Sequence, residues 1–315
     1  MPERNYDGVL CIGDPHLSSR VPGFRKDDYP RAILAKLRWA MSLAQRENLL
    51  PVLLGDLFHY PRDNANWLIV ELLELFQGTV LSIWGNHDCN ENALGDDDTM
   101  MVLVSAGRVR LLDEKPWVGK INGIRAAIGG TSWGKALPDS VSSTELDDAE
   151  LVMWVAHHDV RFPGHEIAAR IACREIGGVS LVINGHIHKT LADVICGTTT
   201  WCNPGNIARV NRGDATRAHM PGVLKLTIAD GAWQRTRIDV PHEAFDLVFH
   251  PQITSDVAGI EDGSIFIEGL KSLQQAKTSG GEGLMDFLDR NLAQFEDPRV
   301  RQQVIALARE VLAHA

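Results

Sequence analysis

The chain is organised around residues 79–88, Thr79-Val80-Leu81-Ser82-Ile83-Trp84-Gly85-Asn86-His87-Asp88. The first six of these residues form an apolar run that predicts a buried strand. The four residues that follow place an amide, an imidazole and a carboxylate on one tight turn at the end of that strand. Such a turn carries little weight alone, but similar side chains follow four other apolar runs: Asp14/His16, Asp56/His59, His157/His158 and His186/His188. We therefore expect the chain to fold so that these strand ends meet.

The N-terminal third of the chain predicts a β-α-β-α-β arrangement. Apolar runs at Val9–Gly13 and Val52–Gly55 read as strands, together with the run before Gly85. Between them, three- and four-residue spacing of apolar residues predicts helices over Tyr29–Leu49 and Asn66–Phe76. Asp27 or Asp28 is the expected cap of the first helix, with Pro30 in its first turn. Sites in open α/β sheets are built at the carboxyl ends of the strands, where the polar clusters fall.

The next part of the chain continues this alternation and then changes character. It predicts a helix over 96–106, a strand over Arg125–Ser132, a strand over Leu151–Ala156, a helix over His165–Ile176 closed by Gly177-Gly178, and a strand over Val179–Asn184. Asp230-Gly231 predicts a hairpin turn between the strands Val223–Ile228 and Trp233–Val240. We therefore expect antiparallel strands beside the parallel ones.

The tail after Pro241 lacks clusters of metal-ligand side chains. It predicts strands at Phe245–Phe249 and Ser264–Ile267, a Gly-rich linker at 279–283, and helices near 284–295 and 298–313. The last helix has an apolar face that either docks on its own domain or binds a partner protein. The expected domains are residues 1–240 and a small extension, residues 241–315.

Charge and cysteine content limit the function classes. The formal net charge is −10 and the isoelectric point is about 5.6, which argues against a broadly basic surface for nucleic acid. Bound divalent cations would cancel several of these charges locally. Five cysteines without a C-x-x-C pair predict reduced thiols. With no signal-peptide core at the N-terminus and no run of about 18 apolar residues, we expect a cytoplasmic protein without a membrane span.

The ligand types in the clusters are Asp, Asn and His. They suit manganese, iron, zinc or magnesium, whereas structural zinc normally uses closed Cys/His sets. There are more candidate ligands than one ion needs, so two ions sharing a bridging carboxylate is the economical arrangement. Two such ions, about 3.5–4 Å apart, activate a water and neutralise a phosphate. The expected reaction is hydrolysis of a phosphoester.

These motifs resemble the calcineurin-like metallophosphoesterase superfamily in their identity and order. The matching segments are Asp14-x-His16, Gly55-Asp56, Gly85-Asn86-His87-Asp88, His157 and Gly185-His186-x-His188. The resemblance covers roughly residues 8–240. It implies a four-layer α/β/β/α sandwich, here followed by a small C-terminal α+β extension, with a dinuclear metal site at one edge.

The resemblance also implies roles for the individual residues. Asp14, His16 and His188 would hold the first ion; Asn86, His157 and His186 would hold the second; and Asp56 would bridge the two. His157 is preferred to His158 because it directly follows the strand, although a slip by one residue is open. His87 would protonate the leaving oxygen or stabilise the transition state. Asp88 would orient His87 or cap the turn.

The choice of substrate depends on fewer residues. The sequence Gly55-Asp56-Leu57-Phe58-His59 departs from the pattern of the protein phosphatases. Together with Asn203-Pro204-Gly205-Asn206 and Arg209, it looks like the SbcD-type DNA-repair nucleases and their phage relatives. That resemblance puts His59 near the scissile phosphate. Basic loops at 20–26 and 209–217 would then contact the DNA backbone.

The leading hypothesis is a manganese-dependent DNA nuclease or phosphodiesterase in repair or recombination. A nucleotide or small-molecule phosphodiesterase or phosphatase is the first alternative, which the acidic isoelectric point favours. The resemblance also implies an SbcC-like ATPase partner and a homodimer. A third hypothesis is a non-enzymatic scaffold that presents its last helix to such an ATPase, and the intact His87 argues against it.

Overall fold

The computed structural model describes residues 5–166 and 169–251. The chain divides into two units, residues 1–251 and 252–315, and the described residues lie in the first. Its strands are β1 (Asn5–Tyr6), β2 (Gly8–Ile12), β3 (Leu49–Leu53), β4 (Val80–Ser82), β5 (Val109–Leu111), β6 (Trp117–Ile121), β7 (Ile124–Thr131), β8 (Leu151–Ala156), β9 (Val160–Arg161), β10 (Ile171–Ala172), β11 (Leu181–Asn184), β12 (Val194–Cys196), β13 (Thr199–Cys202), β14 (Gly222–Ala229) and β15 (Ala232–Asp239). Its helices are α1 (Tyr29–Arg46), α2 (Asn66–Leu75), α3 (Thr99–Ser105), α4 (Asp214–Ala218) and α5 (Phe245–Val248), with a 3₁₀ turn at Ser143–Leu146.

The predicted β-α-β-α-β unit is confirmed as β2-α1-β3-α2-β4. The three strands are parallel neighbours, with Leu10 opposite Pro51 and Val52 opposite Leu81. At the start of α1 the Asp28 side chain accepts a hydrogen bond from the backbone N–H of Arg31, which satisfies one of the free donors of the first turn. Parallel strands joined by helices bring their carboxyl ends to one edge of the sheet.

Two sheets pack face to face. The first has the order β15-β14-β2-β3-β4-β5, and the second has the order β1-β6-β7-β8-β11-β13-β12. Alternation along each strand decides which side chains lie between the sheets. Val9 and Val52 of the first sheet share a core with Met153 and Ile183 of the second. This arrangement confirms the predicted sandwich.

Different elements pack on the outer faces of the two sheets. Leu10 and Leu53 of the first sheet pack with Ile33 and Leu37 of α1, in a core that also includes residues of α2 and α3. On the second sheet, Trp154 packs with loop residues and with Leu146 of the 3₁₀ turn. In the described residues the fourth layer therefore consists mainly of loops.

Two secondary-structure predictions are wrong. The described part of His165–Ile176 contains the short strand β10, which pairs with β9, in place of a helix. The backbone N–H groups of Arg170 and Ile171 bond the carbonyl of Asp159, and this tie to a distant residue replaces local helical bonds. Phe245–Phe249 contains the helix α5 in place of a strand. The Phe245 and Phe249 rings stack with centroids 4.5 Å apart, as i and i+4 residues of a helical turn do.

The antiparallel hairpin is confirmed. Val223 pairs with Ile238 and Ile228 pairs with Trp233 across β14 and β15. Asp230 and Gly231 both have positive φ, 52° and 70°, as a type I′ turn requires.

The predicted strand at Ser264–Ile267, the linker at 279–283 and the helices near 284–295 and 298–313 lie outside the described residues. The predicted domain boundary after residue 240 stays a prediction. None of the helices in the described ranges is both long and apolar enough to cross a membrane.

Candidate metal centre

Five strand ends bring the predicted ligands together. β2, β3 and β4 run parallel in the first sheet, and β8 and β11 run parallel in the second. Each is followed directly, or within a few residues, by a candidate ligand. The following candidates are fully or almost fully buried: Asp14, His16, Asp56 and His157.

Several of the candidate ligands have a strained backbone. Four candidate ligands have positive φ, which is uncommon for residues other than glycine: Asp14 (37°), His16 (47°), Asp56 (47°) and His186 (69°). Such conformations cost on the order of 1–3 kcal/mol each and persist where the surroundings enforce them. The Asp14 carboxylate accepts a hydrogen bond from the backbone N–H of His186 at 2.9 Å. This bond joins the turn after β2 to the turn after β11. Gly85 packs so closely on Asp56 that a Cβ there would collide with its carboxylate.

The first donor group consists of His16, Asp56 and His188. The Nε2 atoms of His16 and His188 lie 2.9 Å apart, and His16 Nε2 lies 3.6 Å from Asp56 Oδ2. Asp14, the other predicted ligand of this ion, is fully buried, and its Oδ1 lies 3.5 Å from His157 Nδ1 of the second donor group. Its Oδ2 has no hydrogen-bond partner among the described residues, so it is available as a ligand atom.

The second donor group consists of Asp56, His157 and His186. His157 Nε2 lies 3.3 Å from Asp56 Oδ2 and 3.3 Å from Asn86 Oδ1. His186 Nδ1 lies 2.9 Å from the same Asn86 oxygen. Asp56 is thus common to both groups, and Asn86 lies in the second, where the resemblance assigns it.

The atoms of the second group suit a cation. His157 Nδ1 is 2.7 Å from the Leu54 carbonyl, so its proton is on Nδ1 and Nε2 carries a lone pair in the neutral ring. His186 Nε2 bonds Asp159 at 2.8 Å, which leaves a lone pair on Nδ1. Lone pairs therefore converge from two imidazoles, the Asn86 amide and the Asp56 carboxylate. Such a set fits a divalent ion that accepts N and O ligands.

The pKa values of the buried candidate ligands differ from their usual values. Burial would raise the pKa of Asp56, but the nearby His157 and His87 outweigh it and hold that pKa well below its usual range. Burial likewise opposes a charge on His157, yet Asp56 raises its pKa to about 9. Burial lowers the pKa of His16 well below its usual value and raises that of Asp14 to about 7. A metal ion at His157 would therefore displace a proton.

His87 and His59 are half-buried and lie beside His16 of the first donor group. The His87 ring centroid is 4.8 Å from that of His16, and the backbone N–H of His87 donates to Asp56 at 2.8 Å. His87 Nδ1 lies 2.8 Å from the His59 carbonyl, which directs Nε2 away from that loop. The two rings stack at 5.3 Å. His87 and His59 also form a third donor group with His16.

Asp88 supports the turn through its backbone contacts. It is fully buried, and its two oxygens accept the backbone N–H groups of Phe58 and Gly85, both at 2.9 Å. Of the two roles open from the sequence, these contacts are those of a turn cap. They also tie the turn at 85–88 to the loop that carries His59. Burial, with the charge of Asp56, raises the pKa of Asp88 to about 7.

His158 lies beside the centre. It is buried, its backbone N–H donates to the Asn184 side chain at 3.2 Å, and burial lowers the pKa of its ring to about 4. His157 rather than His158 thus lies within reach of Asp56 and Asn86.

Two residues beside the centre were missed from the sequence. Asp159 bonds His186, and the ring of Trp133 stacks on His186 at 5.0 Å. The carboxylate directly after His157-His158 is a signal for Asp159. No sequence pattern points to Trp133, because it lies 53 residues before His186 along the chain.

Residues 203–210, which follow the last histidine motif and which we call the brace, support the turn that carries His188. The Asn203 side chain donates to the carbonyls of Ile187 and Lys189 at 2.8 and 2.9 Å, which fixes the turn that carries His188. Arg209 is buried and donates to the His219 carbonyl. These contacts give both residues a structural role.

The two basic loops, residues 20–26 and 209–217, differ in how many of their Arg and Lys side chains are exposed to solvent. Arg25 is buried, bonds both oxygens of Asp27 and donates to the Arg209 carbonyl. Arg212 bonds the carbonyls of residues 250 and 251, and Arg217 bonds Asp246. Arg20 and Lys26 are exposed. The loop at 20–26 is therefore the better candidate for contact with a polyanion.

The sandwich, with histidine, aspartate and asparagine side chains at the meeting strand ends, has the arrangement expected of a metal-dependent phosphoesterase. Comparison with family models agrees, because residues 8–190 match the calcineurin-like phosphoesterase family. The chain belongs to this family.

Similarity to individual proteins is weak. Comparison with curated proteins finds no match. Among solved structures, the chain is similar to TT1561 of Thermus thermophilus, with 12% identity, a TM-score of 0.43, and coverage of 73% of this chain and 98% of the other. It is also similar to a conserved uncharacterized protein, a predicted phosphoesterase, of Streptococcus pneumoniae (11% identity, TM-score 0.35, coverage 76% and 92%). A third is Vacuolar Protein Sorting 29 of Cryptosporidium parvum (12% identity, TM-score 0.30, coverage 75% and 98%). Similarity at this level carries no information about substrate.

Proposed function

We propose that this protein hydrolyses phosphodiester bonds of DNA at a centre of two divalent ions, with manganese as the working metal. The observation that carries the proposal is that two donor groups share Asp56, while the half-buried His87 lies beside His16. Asp14, His16 and His188 would hold one ion, and Asn86, His157 and His186 the other. Two ions bound there would lower the pKa of a water and neutralise phosphate charge.

His87 would act on the substrate. Its Nδ1 is engaged by the His59 carbonyl, so Nε2 is the atom that can reach the leaving oxygen. With a proton on Nε2 the ring would donate to that oxygen as the phosphorus–oxygen bond breaks, or stabilise the developing charge. Asp88 would keep the turn in place through its bonds to Phe58 and Gly85.

His59, Tyr60 and Arg20 would contact the rest of the substrate. Tyr60 is exposed, and its ring lies 4.6 Å from that of His59. The Arg20 guanidinium lies 5.9 Å above the Tyr60 ring. A cation and an aromatic ring beside the scissile phosphate suit a strand of nucleic acid, through its phosphates and its bases. Together with the resemblance at Gly55–His59, these residues support DNA as the substrate.

A nucleotide or small-molecule phosphodiesterase is the second candidate. Two observations favour it: the net charge of −10 and the burial of Arg25 and Arg209, which removes two cations from the surface that DNA would need.

A substrate panel with Mn²⁺ separates the two candidates. It would include single- and double-stranded DNA, cyclic nucleotides, bis-p-nitrophenyl phosphate and p-nitrophenyl phosphate. We expect hydrolysis of DNA and of bis-p-nitrophenyl phosphate. Activity on cyclic nucleotides without activity on DNA would overturn the DNA assignment. Arg20→Ala should lower activity on DNA more than on bis-p-nitrophenyl phosphate. Arg108→Ala is the control, because Arg108 directly precedes β5 and so lies at the opposite edge of the sheet.

A further inference from the structure

The imidazole of His186 is held from three sides. Nδ1 faces Asn86 Oδ1 at 2.9 Å, and Nε2 bonds Asp159 Oδ1 at 2.8 Å. The Trp133 ring stacks on the imidazole, with centroids 5.0 Å apart and planes 29° apart. Trp133 is itself anchored, because its indole N–H donates to Asn92 Oδ1 at 2.6 Å. Two of these three neighbours, Asp159 and Trp133, lie outside the donor groups, and they fix the tautomer and the plane of the imidazole.

The backbone fixes the position of Asp159 as well. Its carbonyl accepts the N–H groups of Arg170 and Ile171, both at 3.0 Å. These bonds join the loop after β8 to β10, so the carboxylate projects from a braced segment. Its side chain is 16% exposed, the same as that of His186, so the bond between them is shielded from water. A charged acceptor in such a position strengthens the hydrogen bond that sets the tautomer.

The two donor groups differ in this respect. In the second group, the Leu54 carbonyl holds His157 and the Asp159 carboxylate holds His186. In the first group, His16 Nδ1 is buried and has no hydrogen-bond partner among the described residues. Outer hydrogen bonds orient the imidazoles of the second group more completely. The acceptor that orients His157 is a backbone carbonyl, which a substitution does not remove. The acceptor that orients His186 is the Asp159 side chain, which mutation can change.

We infer that Asp159, supported by Trp133, is a positioning residue that presents His186 Nδ1 to the second ion and sets the affinity of that site. The inference rests on the proposed two-ion function. Without the carboxylate, the imidazole can rotate or carry its proton on Nδ1, and the second site loses a ligand. The first site does not use His186, so its affinity should not change. Loss of an outer-shell partner typically costs 10–100-fold in metal affinity.

The test is a titration of Mn²⁺ into the metal-free full-length protein, followed by calorimetry and by the electron paramagnetic resonance signal of free Mn²⁺. We expect two ions on the wild-type protein. On Asp159→Ala we expect one ion at wild-type affinity and a second ion about 10–100-fold weaker. Trp133→Leu should weaken the same ion. Asp139→Asn removes an exposed carboxylate that pairs with Arg174, and serves as the matched control with both ions unchanged.

The outcomes separate the inference from the function on which it rests. Failure of the wild-type protein to bind Mn²⁺ would refute the proposed function. Two ions on the wild type, with both affinities unchanged in Asp159→Ala, would refute the positioning role alone. Equal weakening of both ions would also refute it, since the effect would then be general. Circular dichroism of each variant checks its fold, and Asp159→Asn gives a second variant that preserves the size of the side chain.

Discussion

At the scale of single residues, Asp56 connects the whole centre. Its Oδ2 faces His16 of one donor group and His157 of the other, while its Oδ1 accepts the backbone N–H of His87. One carboxylate therefore links both candidate ion sites to the turn that carries the proposed acid. A residue in this position cannot be replaced without affecting both sites.

Asp56→Asn should lose both ions together. The substitution preserves the size of the side chain and an oxygen for the His87 N–H, but it removes the negative charge that both groups share. Metal analysis of the purified variant after dialysis would measure the loss, with Asp139→Asn as the control. One ion at full occupancy would show that Asp56 does not bridge.

His87→Ala should abolish hydrolysis while two ions stay bound. The ring is absent from the proposed ligand set of either ion, and general acid catalysis typically contributes 10²–10⁴-fold to the rate. The measurement is turnover of bis-p-nitrophenyl phosphate together with metal content. His250→Ala removes an exposed imidazole and provides the control. Turnover equal to that of the wild type would remove His87 from the mechanism.

At the scale of elements, α1 is joined to the brace at 203–210 by a buried lysine. Lys36 Nζ donates to the Ile207 carbonyl at 2.9 Å, and the residue is 7% exposed. Burial, with Arg25 and Arg209 nearby, lowers the pKa of Lys36 to about 7. The unfolded chain therefore binds this proton more tightly than the folded one.

Lys36→Met should remove a pH dependence of stability. Between pH 7 and about 10 the unfolded state holds the Lys36 proton and the folded state does not, so wild-type stability gains from rising pH by up to about 1.4 kcal/mol per unit. The variant lacks this gain, so its stability relative to the wild type should fall from pH 7 to pH 9.5. Urea unfolding of both proteins at pH 6, 8 and 9.5 measures the difference. A difference that does not change with pH would contradict the lowered pKa.

The elements show where sequence reasoning succeeds. The strands that carry the centre follow from continuous apolar runs, since β2, β3, β4, β8 and β11 are buried along nearly their whole length. The cap at Asp28 and the turn at Asp230-Gly231 follow from local chemistry. The residues at 165–176 did not follow, because their conformation depends on backbone bonds to the distant Asp159. Those at 245–249 did not follow, because distant residues contact this segment: the Lys26 N–H donates to the Val248 carbonyl, and the Arg25 guanidinium lies over the Phe249 ring.

Some features of the candidate site could likewise be predicted from the sequence, and others could not. The ligand types could be read from the strand ends, since each follows an apolar run. The stacking of Trp133 on His186 could not, because it joins distant parts of the chain. Arg25 and Arg209 look like phosphate contacts in the sequence, but both side chains turn inward and bond partners within the fold.

At the scale of the whole molecule, the metal ions should contribute to stability. Strained backbone and buried charge meet at the centre, and ions that bind only the folded state favour it by mass action, by about 2.7 kcal/mol at a hundredfold excess over Kd. Thermal unfolding of metal-free protein should therefore shift upward on addition of Mn²⁺, measured by calorimetry. Asp56→Asn should lose the shift, and an equal shift in that variant would assign the effect to other sites.

The central claim is that the chain is a phosphoesterase whose activity depends on metal at this centre. The decisive measurement is hydrolysis of bis-p-nitrophenyl phosphate before chelation, after chelation and after return of Mn²⁺. We expect loss of turnover on chelation, and recovery in step with the binding of two ions per chain. Turnover that persists in metal-free protein, or that recovers fully with no ion bound, would contradict it.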